Sequence, residues 1–208
     1  MKPIRLMLAM LAGLGLSACA APETATRNAP LVVDSPAPQA ASLRVQNVTV
    51  DVPRELRVSE ANRYFPGGDI VWREDPTGDR YAQVQKIVED AMITGVSTLE
   101  GAMPVDLHIE VTRFHALTEK ARYTTGGVHD IEFKVTLLHP ETGQPLGAAH
   151  EVDAGFKAHG GQKAIAAEAR GETQKVRITR HLAQVIRDEL TRPDGFQTAS
   201  LGLYEMFN

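Results

Sequence analysis

Two stretches in the middle of the chain alternate between apolar and polar residues, and this pattern constrains the fold more than any other feature. The apolar positions of the first stretch are 105, 107, 109 and 111, and those of the second are 131, 133, 135 and 137. Because successive side chains of a strand point to opposite faces, each stretch predicts a half-buried strand. A third stretch, 146–156, alternates in the same way after a turn at 140–145. The three together predict an antiparallel meander.

Two further stretches carry the period of a helix. Residues 81–99 place apolar side chains on one stripe, Thr77 or Asp79 can cap the start, and Gly101 suits the stop. A second helix is predicted from 172 to 191. Its inner face is expected to comprise Val176, Thr179, Leu182, Val185, Ile186 and Leu190. The alanine-rich residues 163–169 can form a short helix between the sheet and this second helix.

The chain before the first helix predicts one more strand of useful length. Residues 43–52 alternate at their end, but the phase slips between Val45 and Val48, which indicates a strand with a bulge. A short strand is expected around Trp72. The predicted fold is therefore α+β: an antiparallel sheet of about four strands with two helices packed on one face, in the order strand–helix–strand–strand–strand–helix.

The N-terminus carries a specific succession of features. A positive start precedes the uncharged apolar run 6–16, two small residues follow, and Cys19 is the only cysteine. An apolar run of eleven residues suits a secretory signal and is too short for a bilayer span, which needs about 20 residues. The stretch Leu16-Ser17-Ala18-Cys19 resembles the lipobox of bacterial lipoproteins. The alternative is an ordinary signal peptide cut near Ala18.

The lipobox resemblance implies cleavage before Cys19 and acyl chains, such as palmitate, on that residue. Two acyl chains are enough for stable membrane anchoring. Ala20 follows the cysteine where an Asp would favour retention in the inner membrane. The expected location is therefore the cell envelope, at the outer membrane and facing the periplasm. The element order is similar to that of several small envelope lipoprotein families, including auxiliary lipoproteins of transport systems. The whole chain also resembles uncharacterised bacterial envelope lipoproteins, and this second resemblance implies no activity.

The predicted organisation has four parts. Residues 1–18 are the signal peptide, and 19–42 comprise the lipidated cysteine and a tether rich in alanine and proline. A flexible coil of some 23 residues has a dimension of about 25–30 Å. The apolar run 31–33 leaves open that part of the tether docks on the domain. Residues 43–192 form one α+β domain, and 193–208 form a C-terminal tail.

Composition and charge exclude several classes of function. The formal net charge of −4 argues against a nucleic-acid-binding domain, and a single cysteine excludes an internal disulfide or a multi-cysteine metal site. The sequence contains no G-x-S-x-G, P-loop, H-E-x-x-H or G-x-G-x-x-G pattern. Its seven histidines form no close pair and are expected at the surface or partly buried. We therefore expect no catalytic residue, no metal site, no cofactor and no nucleic-acid partner.

One stretch, 113–129, concentrates cations and glycines in an otherwise acidic chain. Backbone amides near paired glycines can bind an anion, and an aromatic ring can add a contact. The candidate contacts for an anion or a partner are Arg113, Lys120, Arg122, Tyr123, Gly126 and Gly127. The alternative is an exposed hairpin connection whose charges only aid solubility.

These features predict a membrane-anchored envelope lipoprotein with a non-enzymatic binding domain, which serves envelope assembly or transport. The membrane is one partner, through the lipid on Cys19, and an envelope protein, a lipid or a glycan is the other. Two alternatives stay open: a small envelope hydrolase and a purely structural lipoprotein.

Overall fold

The computed structural model describes residues 43–198, which form six strands and four helices. In chain order the elements are β1 (Leu43–Asp51), β2 (Ile70–Val71), α1 (Arg80–Val96), β3 (Met103–His115), α2 (Glu119–Arg122), β4 (Gly127–Leu138), β5 (His150–Asp153), β6 (Phe156–Ala158), α3 (Gly161–Glu168) and α4 (Gln174–Thr191). The predicted signal peptide, Cys19, the tether and residues 199–208 of the tail lie outside the described residues. None of the helices within 43–198 is both long and apolar enough to cross a membrane.

The centre of the sheet is the predicted meander. β3 pairs antiparallel with β4, and β4 pairs antiparallel with both β5 and β6. The apolar residues of the two long strands face one side and are buried, while their polar neighbours lie on the other side. The alternation that defined these strands in the sequence is confirmed, and the fold is α+β with a mostly antiparallel sheet.

The prediction of a wholly antiparallel sheet is wrong at one edge. β1 pairs with β3 in parallel, from Leu43 opposite Met103 to Asp51 opposite Glu110. Between these strands the chain crosses back along α1, and a crossover through a helix returns it to the same end of the sheet. The predicted bulge is confirmed, because the register shifts between Val45 and Asn47.

The third predicted strand is shorter than its sequence pattern. Leu146 is 48% exposed and lies before β5, so the first part of the stretch contributes nothing to the core. After Asp153 the strand is interrupted at Ala154 and Gly155, where the Gly155 amide donates to the Asp153 carboxylate. β6 then continues along the same strand β4. Periodicity alone did not indicate this break.

The two long helices begin where side chains cap them. The Asp79 carboxylate accepts a hydrogen bond from the Ala82 amide at the start of α1, and the Thr173 hydroxyl accepts one from Val176 at the start of α4. The helices pack so closely that a β-carbon on Gly95 would collide with α4. The predicted inner face of α4 is wrong at one position, since Val176 is exposed and Ile178 is fully buried.

The core lies between these two helices and the inward face of the sheet. It joins apolar residues of α1 and α4 with those of β1, β3 and β4. Trp72, just after β2, is fully buried and packs edge-to-face against Phe114 with ring centroids 5.9 Å apart. Two helices over one sheet face agree with the prediction. The short helices α2 and α3 lie outside this core, and α2 was not predicted.

Candidate functional site

The described site residues gather at the end of the sheet where β3 stops. β2 pairs with the last two residues of β3, from Ile70 opposite Phe114 to Val71 opposite His115, and α2 follows directly. Leu43 pairs with Met103, at the other end of β3. Because a strand rises about 3.3 Å per residue, the two ends of this 13-residue strand lie roughly 40 Å apart.

Arg122 of α2 is buried and held by carboxylates from two other parts of the chain. Its Nη1 donates to Glu74 Oε2 at 2.7 Å, and its Nε lies 3.3 Å from Glu168 Oε1 without hydrogen-bond geometry. Glu74 follows β2, and Glu168 ends α3. The residue therefore connects three segments, and its charge is compensated within the fold.

Tyr123 caps the end of α2 and is 44% exposed. Its hydroxyl lies 3.2 Å from Arg122 Nη2 and donates to Glu168 Oε2 at 3.1 Å. Burial and the neighbouring Glu168 raise the pKa of the Tyr123 phenol, although Arg122 acts in the opposite sense. One edge of this ring is thus fixed, while its outer surface faces solvent.

The predicted glycine pair shapes the chain rather than leaving a row of open amides. Gly126 has φ +74° and its amide donates to Ala121 O at 2.8 Å, as the Thr124 amide also does at 3.2 Å. Gly127 begins β4 and pairs with Ala158. A β-carbon on Gly160 would collide with the backbone of Gly126, so this loop lies directly against the start of α3.

The remaining two predicted residues are not packed into this group. Arg113 pairs across the strands with Asp130. Lys120 is exposed, and its Nζ lies 4.8 Å above the ring centroid of Tyr64. The structure thus brings Arg122, Tyr123 and Gly126 into one packed region and leaves Lys120 on the surface beside it. Contact of any of the six with an anion or a partner stays a prediction.

Beside α2 lies a set of ion pairs, here called the ion-pair belt, which comprises Glu60, Arg73, Arg80 and Glu119. Arg80 is almost fully buried and binds Glu60 at 2.6 Å, and Arg73 binds Glu119 at 2.6 Å and Glu60 at 3.2 Å. The hydrogen bond from Arg80, opposed by burial and helped by Arg73, lowers the pKa of Glu60. Burial alone would raise the pKa of Glu119, but Arg73 holds it below its usual value. Both carboxylates are therefore charged at neutral pH.

Beneath Arg122 lies a small cavity of about 10 Å³, room for about one water molecule. His129 lines it and is 1% exposed, and neither of its ring nitrogens has a hydrogen-bond partner among residues 43–198. Burial lowers the pKa of His129 to about 3, with further contributions from the nearby cations. His129 was expected at or near the surface. The alternation of Ile131 and Phe133, extended back by two residues, places it on the buried face.

The loop before β2 contains a feature that the sequence interpretation left without a role, residues 62–66, here called the aromatic tip. Phe65 is 90% exposed and Tyr64 is 42% exposed. The tip is held against the start of α2, since the Thr118 hydroxyl donates to Arg63 O at 2.8 Å and the Lys120 amide donates to Asn62 Oδ1 at 2.9 Å. The Tyr64 hydroxyl also lies 3.4 Å from Thr124 Oγ1.

Comparisons with known proteins give a family and no activity. A family model described as a family of unknown function, DUF6778, matches residues 43–206. No curated protein matches the chain significantly. A crystal structure of a candidate lipoprotein from Caulobacter crescentus CB15 is similar at 15% identity and TM-score 0.35, over 51% of this chain and 80% of that one. A Xanthomonas campestris protein with the family model DUF330 is similar at 15% identity and TM-score 0.37, over 69% and 81%.

Proposed function

The chain belongs to DUF6778, a family of unknown function, and we propose that it is a lipid-anchored protein of the bacterial cell envelope whose α+β domain binds a partner and catalyses no reaction. The observation that carries the proposal is the succession of a short apolar run, two small residues and the only cysteine, Cys19. The family match begins at Leu43, which is also the first residue of β1. Between Cys19 and Leu43 the chain has the composition of a tether.

The charges beside α2 support binding over hydrolysis. A general acid needs a pKa raised toward the working pH, whereas arginines lower the pKa of Glu60 and Glu119 in the ion-pair belt. The same arginines fix the segments that carry the aromatic tip. An arrangement that fixes carboxylates as permanent charges and presents exposed rings suits recognition of a surface.

The proposal includes a position in the cell. Lipid on Cys19 anchors the chain, and Ala20 after it favours the outer membrane, with the domain in the periplasm. Removal of 1–18 takes away Lys2 and Arg5 and no carboxylate, so the remaining chain is more acidic than the −4 of the whole. Its surface is then weakly repelled by anionic lipid, which makes the acyl chains the dominant membrane contact.

The test is the substitution Cys19→Ala in the full chain, expressed in bacteria, with Ser35→Ala in the tether as the matched control. We expect Cys19→Ala to abolish incorporation of radiolabelled palmitate and to release the protein from membranes, while Ser35→Ala keeps both. The measurement is sedimentation with membranes after a high-salt wash, together with the label. Continued salt-resistant sedimentation of Cys19→Ala would contradict the proposal.

A further inference from the structure

The aromatic tip combines exposure with rigidity. Phe65 presents nearly its whole ring to solvent, yet the three residues before it are held against α2 and its cap, Asn62 and Arg63 by hydrogen bonds and the Tyr64 ring by its contact with Lys120. An exposed aromatic side chain that is already held in place loses little entropy when it binds. Aromatic residues, phenylalanine among them, are enriched at the core of protein interfaces.

The negative and positive side chains at the tip differ in whether they are already paired within the fold. Glu60, two residues before the tip in sequence, and Glu119, adjacent to Lys120, are both bound by arginines of the ion-pair belt. The side chains of Arg63 and Lys120 are exposed and form no ion pair with any residue in 43–198; the contact of Lys120 is with the Tyr64 ring. Because these two cations are exposed and unpaired within 43–198, we expect carboxylates on the surface that covers Phe65.

The position of the tip favours a partner away from the anchoring membrane. The chain enters the domain at Leu43, and the tip lies at the opposite end of β3, roughly 40 Å away by the rise of a strand. The tip therefore lies at the end of the sheet opposite to the entry of the chain, and this position favours a partner other than the lipid expected on Cys19.

We propose that the aromatic tip is the docking site for a partner protein, which receives Phe65 in an apolar pocket and pairs carboxylates on the pocket rim with Arg63 and Lys120. The inference rests on the proposed function only for the position of the anchor. Exposed Tyr123, near Tyr64 through Thr124, extends the same surface and gives the partner a second ring to contact.

The experiment places the photoreactive amino acid p-benzoylphenylalanine at position 65 of the full chain in living cells. The matched control places it at position 93, where Ile93 of α1 is 50% exposed and far from the tip in sequence. We expect irradiation to give one discrete protein adduct at position 65, in at least about fivefold higher yield than at position 93. The adduct is identified by mass spectrometry of the crosslinked peptide.

Charge dependence distinguishes docking from accidental proximity. The double substitution Arg63→Glu and Lys120→Glu should lower the adduct yield about fivefold or more, because like charges across an interface are strongly unfavourable. Lys120→Arg should keep the yield. Replacement of an acidic residue beside the crosslinked peptide of the partner by lysine should restore the adduct with the Glu variants. Thermal unfolding of each variant shows that the domain remains folded.

Three results would overturn the inference, and each has its own signature. A phospholipid adduct at position 65, seen as added mass on the intact chain, would identify a membrane contact. An adduct between two differently tagged copies would identify self-association, and no excess of adduct at 65 over 93 would mean that the tip is uncovered. The proposed function fails separately, when the same cells show that membrane retention does not depend on Cys19.

Discussion

Arg122 and Lys120 are two residues apart on the same short helix, and the fold uses them in opposite ways. Arg122 points into the domain, where Glu74 and Glu168 take up its charge. The side chain of Lys120 points outward, and among residues 43–198 its ammonium group lies over the ring of Tyr64 without an ion pair. Both belonged to one predicted cationic patch, but the comparison separates a charge that holds segments together from a charge that is available to a partner. Cations that are close in sequence therefore cannot be assigned to a binding site until the carboxylates that pair with them in the fold are known.

The largest effect in this comparison is expected from Arg122→Met. The substitution leaves Glu74 and Glu168 partly buried without their cation, which should lower the free energy of unfolding by about 2–3 kcal/mol. Urea denaturation at pH 7 measures the change. An unfolding free energy within about 0.5 kcal/mol of the parent would show that water solvates the two carboxylates as well as the arginine does.

A second effect is expected in the cavity below Arg122, as a dependence of stability on pH. The folded chain keeps His129 neutral down to about pH 3, whereas an unfolded histidine binds a proton below about pH 6.5. Stability should thus fall by about 1.4 kcal/mol per pH unit from this residue as the pH decreases through that window.

His129→Phe keeps a ring against Phe156 and removes the titrating group. Between pH 6.5 and 5 the unfolding free energy of this variant should fall less steeply than that of the parent by about 1 kcal/mol per unit on average, because the unfolded histidine is only half protonated at pH 6.5. Equal slopes for the parent and His129→Phe would indicate that the buried imidazole is protonated in the folded chain.

The smallest effect is expected on the exposed side. Lys120→Ala should change the free energy of unfolding by no more than about 0.5 kcal/mol, since it loses one surface contact with Tyr64. Urea denaturation beside Arg122→Met gives the direct contrast. A loss for Lys120→Ala as large as that for Arg122→Met would remove the distinction between the two faces of α2 and would assign Lys120 a structural role.

The parts of the fold that the sequence predicts are those set by local chemistry. The alternation of apolar and polar residues predicted β3 and β4, and a slip in that alternation predicted the bulge in β1. Asp79 was one of two residues suggested as the cap of α1. Strand direction was missed because periodicity is the same in parallel and antiparallel pairs. It follows instead from the helical crossover between β1 and β3.

The candidate site was harder to predict because its partners are distant in the chain. Glu74 and Glu168 lie 48 and 46 residues from Arg122, on opposite sides of it, and no local pattern links the three. His129 could have been placed in the core by extending the strand pattern. Phe65 could not be called exposed from sequence, since an aromatic residue in an irregular stretch is as compatible with a core position as with a surface one.

The parallel edge strand has a mechanical consequence. Suppose that the chain is anchored before Leu43 and held by a partner at Phe65. Tension then acts on the segment between these two residues, of which the first nine residues form β1. A strand already rises about 3.3 Å per residue, close to the maximum that a chain can span, so it has little length left to give. Under such a load the covalent backbone of β1 would therefore carry the tension with little change in its length.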